Sequence, residues 1–124
     1  MGFAHHPHYL NWCEIARTDF IRELGTTYAE LERAGLLLAV TEAELRYAAP
    51  ARYDDVIAVA CRLERVQSRS ITFAYDVRRL EPAPEHPLAS IRTRLVALDR
   101  NGTPRTLPTE LLRRFRDAIE DSQA

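Results

Sequence analysis

From Tyr9 to Leu24 apolar residues recur at steps of three and four. Tyr9, Trp12, Cys13, Ala16, Phe20 and Leu24 form one stripe, and Leu10, Ile15 and Ile21 widen it. Only Asn11, Glu14, Thr18 and Arg22 keep a narrow polar strip. Pro7 suits the first position of a helix, where its missing N–H would lack a partner in any case. His6 is therefore expected to cap the helix and Gly25 to stop it. A helix apolar around most of its circumference has to be covered, and the rest of the chain offers one long cover, sheet.

Thr27 and Glu30 have the spacing of a capping box, the Thr27 hydroxyl closing an N–H of the first turn while Glu30 reaches back. This predicts a short helix to Ala34, stopped by Gly35. From Leu36 the period changes to two. Leu37, Ala39, Thr41, Ala43, Leu45, Tyr47 and Ala49 fall on one face, and Glu42, Glu44 and Arg46 on the other, which predicts a long strand with one wet face. Residues 50–55 break it with a proline and two aspartates. A second strand over 56–66 is expected to bury Ile57, Val59, Cys61 and Leu63, and residues 67–69 turn. A third, over 70–80, buries Ile71, Phe73, Tyr75 and Val77; residues 81–87 form a proline-stiffened loop. A fourth, over 88–98, buries Ala89, Ile91, Thr93, Leu95 and Ala97, and Asn101-Gly102 closes a tight hairpin into 103–106. Residues 108–121 read as an amphipathic helix with Leu111, Leu112, Phe115, Ala118 and Ile119 on one side. Strands this long extend about 33 to 46 Å at ~3.3 Å per residue, and a twisted antiparallel sheet of them would curl around the first helix. The class is α+β.

A chain of 124 residues with 46% hydrophobic content predicts one domain over 1–124. With 17 basic and 18 acidic residues the net charge is −1, so no global field draws nucleic acid or an anionic membrane. Cys13 and Cys61 both sit in apolar patterns and read as small core residues in a reducing compartment rather than as a disulfide. No apolar run approaches the ~20 residues of a membrane span and no charged-then-apolar leader precedes the helix. The expectation is a soluble, cytoplasmic protein.

Gly2-Phe-Ala-His-His-Pro-His-Tyr-Leu, followed by Trp12 and Glu14-Ile-Ala-Arg17, then Pro50-Ala-Arg-Tyr-Asp-Asp55, resembles the hotdog-fold acyl-CoA thioesterases of the 4-hydroxybenzoyl-CoA thioesterase and YbgC type. Thr93 and Leu107-Pro108 continue the resemblance through nearly the whole chain. It implies a long curved antiparallel sheet wrapped around a central helix, hydrolysis of a coenzyme A thioester without a cofactor, and a homodimer or homotetramer with sites at the subunit boundary. The family pattern is Asp-x-x-Gly, three residues, a His or Tyr, then x-x-Tyr; Gly2, His6 and Tyr9 match it. The Asp would fall just before Met1, and the strand preceding it in the family is missing as well. A reading frame that starts upstream of Met1 is expected, because the helix would otherwise leave a sheet edge unpaired; the alternative is an inactive truncated relative.

The chemistry needs a polarised thioester carbonyl. A helix N-terminus offers unpaired N–H groups and positive partial charge to a developing oxyanion. Because Pro7 has no N–H, the His6 amide is the first donor available, and the resemblance places the carbonyl-binding amide there. The imidazoles of His5 and His6, with ordinary pKa near ~6.5, could relay a proton. The resemblance makes the missing Asp the base or nucleophile; Glu14, as a substitute, lies eight residues from His6, about 12 Å at ~1.5 Å each, and is expected instead to pair with Arg17. The resemblance further implies that Ser68, Arg69 and Ser70 hold the phosphates of coenzyme A, an arginine fork being suited to phosphate; a plain polar turn is the other reading. His5, His6 and His8 lack a nearby fourth ligand, so no metal is expected. Arg113, Arg114 and Arg116 are offset by Glu110, Asp117, Glu120 and Asp121 and read as a solvated face. The function expected is an acyl-CoA thioesterase, with a non-catalytic acyl-CoA-binding hotdog module as the alternative.

Overall fold

The computed structural model describes residues 6–123, with side chains for residues 8–120. The long helix, α1 (His6–Glu23), is followed by α2 (Tyr28–Arg33), four strands and α3 (Thr109–Gln123). The strands β1 (Leu37–Tyr47), β2 (Val56–Val66), β3 (Ser70–Glu81) and β4 (His86–Leu98) form one antiparallel sheet in the order β1-β4-β3-β2. Gly25 stops α1 in a left-handed conformation, φ +96°, that a side chain would strain.

Cross-strand partners share a face, so the register shows which face is covered. Ile71, Phe73, Tyr75 and Val77 of β3 stand opposite Leu95, Thr93, Ile91 and Ala89 of β4, and all eight are buried. This face receives α1: Phe20 packs edge-on against Phe73 at 5.6 Å, and Arg17 reaches Tyr75. The helix thus runs from the Tyr47 end of the sheet, where Tyr9 meets Tyr47 at 5.1 Å, toward the β2–β3 turn.

Several expectations are corrected by the packing. The first is the circumference of α1. The fully covered row is Tyr9, Cys13, Arg17 and Ile21, a strict four-residue repeat, whereas Leu10 is 39% and Ile15 62% exposed. The helix lies against the sheet instead of being surrounded, so one face suffices. The second concerns β1, whose alternation changes phase at a bulge between Val40 and Glu42. Leu38 and Val40 share the face of Ala97 and Leu95, not Leu37 and Ala39; Thr41 is the inserted residue, and beyond it Ala43, Leu45 and Tyr47 lie on the face of Thr93, Ile91 and Ala89. In α2 the Thr27 hydroxyl accepts from the Glu30 N–H at 3.1 Å as expected, but the Glu30 carboxylate takes the Thr26 hydroxyl at 3.3 Å, so the box is half closed. The fourth strand starts at His86, two residues early. After Asn101-Gly102 the chain makes one isolated bridge, Leu98 to Pro104, rather than a strand, because Asp99 ties the turn to itself through the N–H groups of Asn101 and Thr103.

Candidate active site

The first described turn of α1 is pinned at its base. Tyr9 is buried, its ring lies 5.0 Å from Trp12 and 5.1 Å from Tyr47, and its phenol oxygen accepts the Ala51 N–H at 3.2 Å. Ala51, in the loop after β1, is buried too, so this bond satisfies a main-chain donor that water does not reach. It fixes the end of the helix from which N–H groups point outward. His6 opens the helix, while its side chain, together with His5 and Gly2, lies outside the described residues. His8 is exposed.

The second part of the expected site is the β2–β3 turn. Its backbone is stapled from three sides: Gln67 N donates to Ser70 O, Ala97 N to Arg69 O and Leu107 N to Ser68 O, each at 2.8 Å. Ser68 and Arg69 are exposed, whereas Ser70 is buried and its hydroxyl donates to Gln67 Oε1 at 3.0 Å. Arg69 has no ion-pair partner among the described residues. The nearby outer face of the sheet differs in this respect, since Arg62 pairs with Asp76 and Arg92 grips Glu64 through two bonds of 2.8 Å. Among the described residues the turn therefore offers an unpaired guanidinium, Arg69, and an unpaired hydroxyl, Ser68, on a rigid frame.

These two parts do not meet within one chain. Tyr9 stands beside Tyr47, which pairs with Ala89 and through it with Val77, while Ser70 is seven residues further along β3, about 23 Å at ~3.3 Å each.

Between them lies a polar group that sequence reasoning missed. Arg17 is 7% exposed and, contrary to expectation, does not pair with Glu14. Its Nε donates to Tyr28 Oη at 2.8 Å and its Nη1 to Tyr75 Oη at 3.0 Å; the Tyr75 and Thr93 hydroxyls share a bond of 2.6 Å. The signal is present in the four-residue row Tyr9, Cys13, Arg17, Ile21, in which Arg17 occupies a covered position. Burial opposes the Arg17 charge, but the two phenols outweigh it and hold the guanidinium above its ordinary pKa. Burial pushes Tyr75 up to about 12 and does the same for the free thiols of Cys13 and Cys61, with Arg17 opposing it in all three. The phenols and thiols therefore stay protonated at neutral pH, the form in which a thiol is a poor nucleophile.

The profile of the thioesterase superfamily matches residues 1–85, and the chain belongs to that superfamily. The crystal structure of protein TT1821 from Thermus thermophilus superimposes with a TM-score of 0.84 at 32% identity, covering 95% of this chain and 88% of that one. Protein AQ1494 from Aquifex aeolicus gives 0.81 at 31% identity over 92% and 86%. The acyl-CoA thioester hydrolase YbgC of Escherichia coli is 25% identical over 116 residues, 93% of this chain and 84% of that protein. The fold is the hotdog fold, as the resemblance implied, and the chain is a thioester hydrolase.

Proposed function

We propose that this protein, a single domain over 1–124, hydrolyses acyl-CoA thioesters in the cytoplasm at a site shared by two copies of the chain. The thioester carbonyl sits at the N-terminus of α1, where the His6 amide and the helix dipole stabilise the oxyanion formed when water attacks. The imidazole of His6 or His5 carries the proton from the attacking water to the departing thiolate, and Gly2 is the site position that matches the glycine of the family pattern. Tyr9 holds the first turn in place through Ala51. Ser68 and Arg69 bind the phosphates of the coenzyme, and Ser70 supports them by bonding Gln67. No cofactor or metal takes part.

The observation that carries the shared site is the separation of the two halves. β1 is an edge strand eleven residues long, bearing the exposed Val40 and Tyr47. An unpaired edge of this length is a template for pairing. Antiparallel pairing of two β1 edges sets the Leu37 end of one copy beside the Tyr47 end of the other. The coenzyme-binding turn of a second copy then lies about three strand spacings, ~14 Å, from the helix N-terminus, closer than the turn of the same chain. The dimer is the unit of catalysis, and pairing of dimers into a tetramer leaves the site unchanged. Free thiols at Cys13 and Cys61 suit a reducing compartment, and no described helix is long and apolar enough to cross a membrane.

The test is release of coenzyme A thiol from a panel of aliphatic and aromatic acyl-CoAs. Turnover of at least one of them is expected. Tight binding of the panel without thiol release would favour the non-catalytic module.

A further inference from the structure

We propose that Arg17 is a positioning residue for thioester hydrolysis, the pin that sets α1, and with it the oxyanion-binding amide, against the sheet. The inference rests on the helix N-terminus being the oxyanion site.

Arg17 is a buried cation to which no carboxylate among the described residues is paired. Removing a guanidinium from water is costly, and a well-packed apolar side chain in such a place is often as stable or more so. Stability alone therefore does not ask for arginine here. What arginine adds is direction. The α1 row around it, Cys13 and Ile21, packs by apolar contact, which resists separation but scarcely resists sliding or rotation. The guanidinium is a rigid plane, and two of its N–H groups are satisfied by acceptors on different elements, Tyr28 on α2 and Tyr75 on β3, with Tyr75 held in turn by Thr93 on β4. Those bonds fix the axial and rotational setting of α1 against three elements at once. Together with the Tyr9–Ala51 bond they pin the helix at two points, two turns apart. His6 lies eleven residues from Arg17, about 16 Å along the same rigid rod, so a slip of α1 at Arg17 reaches the amide undiminished.

The expected signature is a loss in kcat without a matching change in KM, because the coenzyme-binding turn sits on the sheet and does not move with α1. In the thiol-release assay Arg17→Met is expected to fold and to lower kcat by about 10- to 100-fold, the scale of a ~1 Å misplacement, with KM for acyl-CoA within about threefold. Arg17→Lys, which keeps a charge and donors without the planar fork, is expected to recover part of the loss. A folded Arg17→Met enzyme with wild-type kcat overturns the inference. If Arg17→Met does not fold, Tyr75→Phe and Tyr28→Phe each remove a single acceptor oxygen; both are expected to lower kcat, and wild-type kcat in both overturns it equally. The underlying reading fails separately: His6→Pro, which deletes the amide N–H, would then be as fast as wild type. Unaltered Arg17 variants beside a slow His6→Pro variant would refute the pin alone.

Discussion

The Ala51 N–H donates to the phenol oxygen of Tyr9 at 3.2 Å, joining the first turn of α1 to the loop after β1 across 42 residues of sequence. Both residues are 1% exposed. Tyr9→Phe would leave a buried main-chain donor without an acceptor, a cost of about 1–3 kcal/mol. A urea melt is expected to show that loss, and kcat is expected to fall with it because the helix N-terminus is freed. A midpoint unchanged from wild type would mean that the bond is replaced or unimportant.

Arg69 is exposed and unpaired among the described residues, so its removal should cost little stability. Arg69→Ala is expected to raise KM for acyl-CoA by about fivefold, corresponding to ~1 kcal/mol for an exposed charge-assisted contact. With an acyl thioester of N-acetylcysteamine, which lacks the nucleotide, KM is expected to stay the same. An equal rise with both substrates would place Arg69 in some other role.

The proposed shared site predicts complementation. His6→Pro chains and Arg69→Ala chains are each impaired as homodimers, yet a heterodimer of the two contains one site built from the intact half of each. Mixing under conditions of subunit exchange is expected to raise activity above the sum of the separate chains. Val40→Lys on the β1 edge is expected to give a monomeric mass by light scattering and to abolish turnover. An active monomer would contradict both statements.

Alkali should loosen the fold. Burial raises Cys13 and Cys61 from an ordinary 9.0 to about 12, and Tyr75 from 10.0 to about 12. The folded state therefore holds protons that the unfolded state gives up. The corresponding stability is full below pH 9 and declines as pH rises from there toward 12. Melting temperature is expected to drop across that window, with a shallower slope in Cys61→Ala. A flat profile to pH 11 would show that these groups titrate as freely in the folded chain as in the unfolded one.

Much of this architecture is legible from periodicity. The change from a step of three or four to a step of two locates α1 and the strands, and the inward residues of β3 and β4 are those that alternation selects. Where alternation fails, at Thr41, a bulge inserts one residue and reverses the phase, and nothing in a run of small and β-branched residues marks where that happens. Arg17 is misread when charge is weighed above position: its place in the Tyr9, Cys13, Ile21 row outweighs its polarity once Tyr28 and Tyr75 supply acceptors. Tyr28 lies 11 residues away on the next helix and Tyr75 lies 58 away, and only the fold brings both to it. The separation of the two halves of the proposed site is likewise invisible until the strand order places α1's N-terminus and the Ser68–Ser70 turn at opposite ends of the sheet.

The oxyanion assignment is tested most directly by kcat and KM for acyl-CoA hydrolysis in wild type, His6→Ala and His6→Pro. Alanine keeps the amide and removes the imidazole, whereas proline removes the N–H at a helix start that tolerates it. Loss of one oxyanion donor predicts a kcat about 10²- to 10³-fold lower in His6→Pro, with KM little changed and His6→Ala the faster of the two. A His6→Pro enzyme that matches His6→Ala, or a wild-type chain that releases no thiol, would contradict the account.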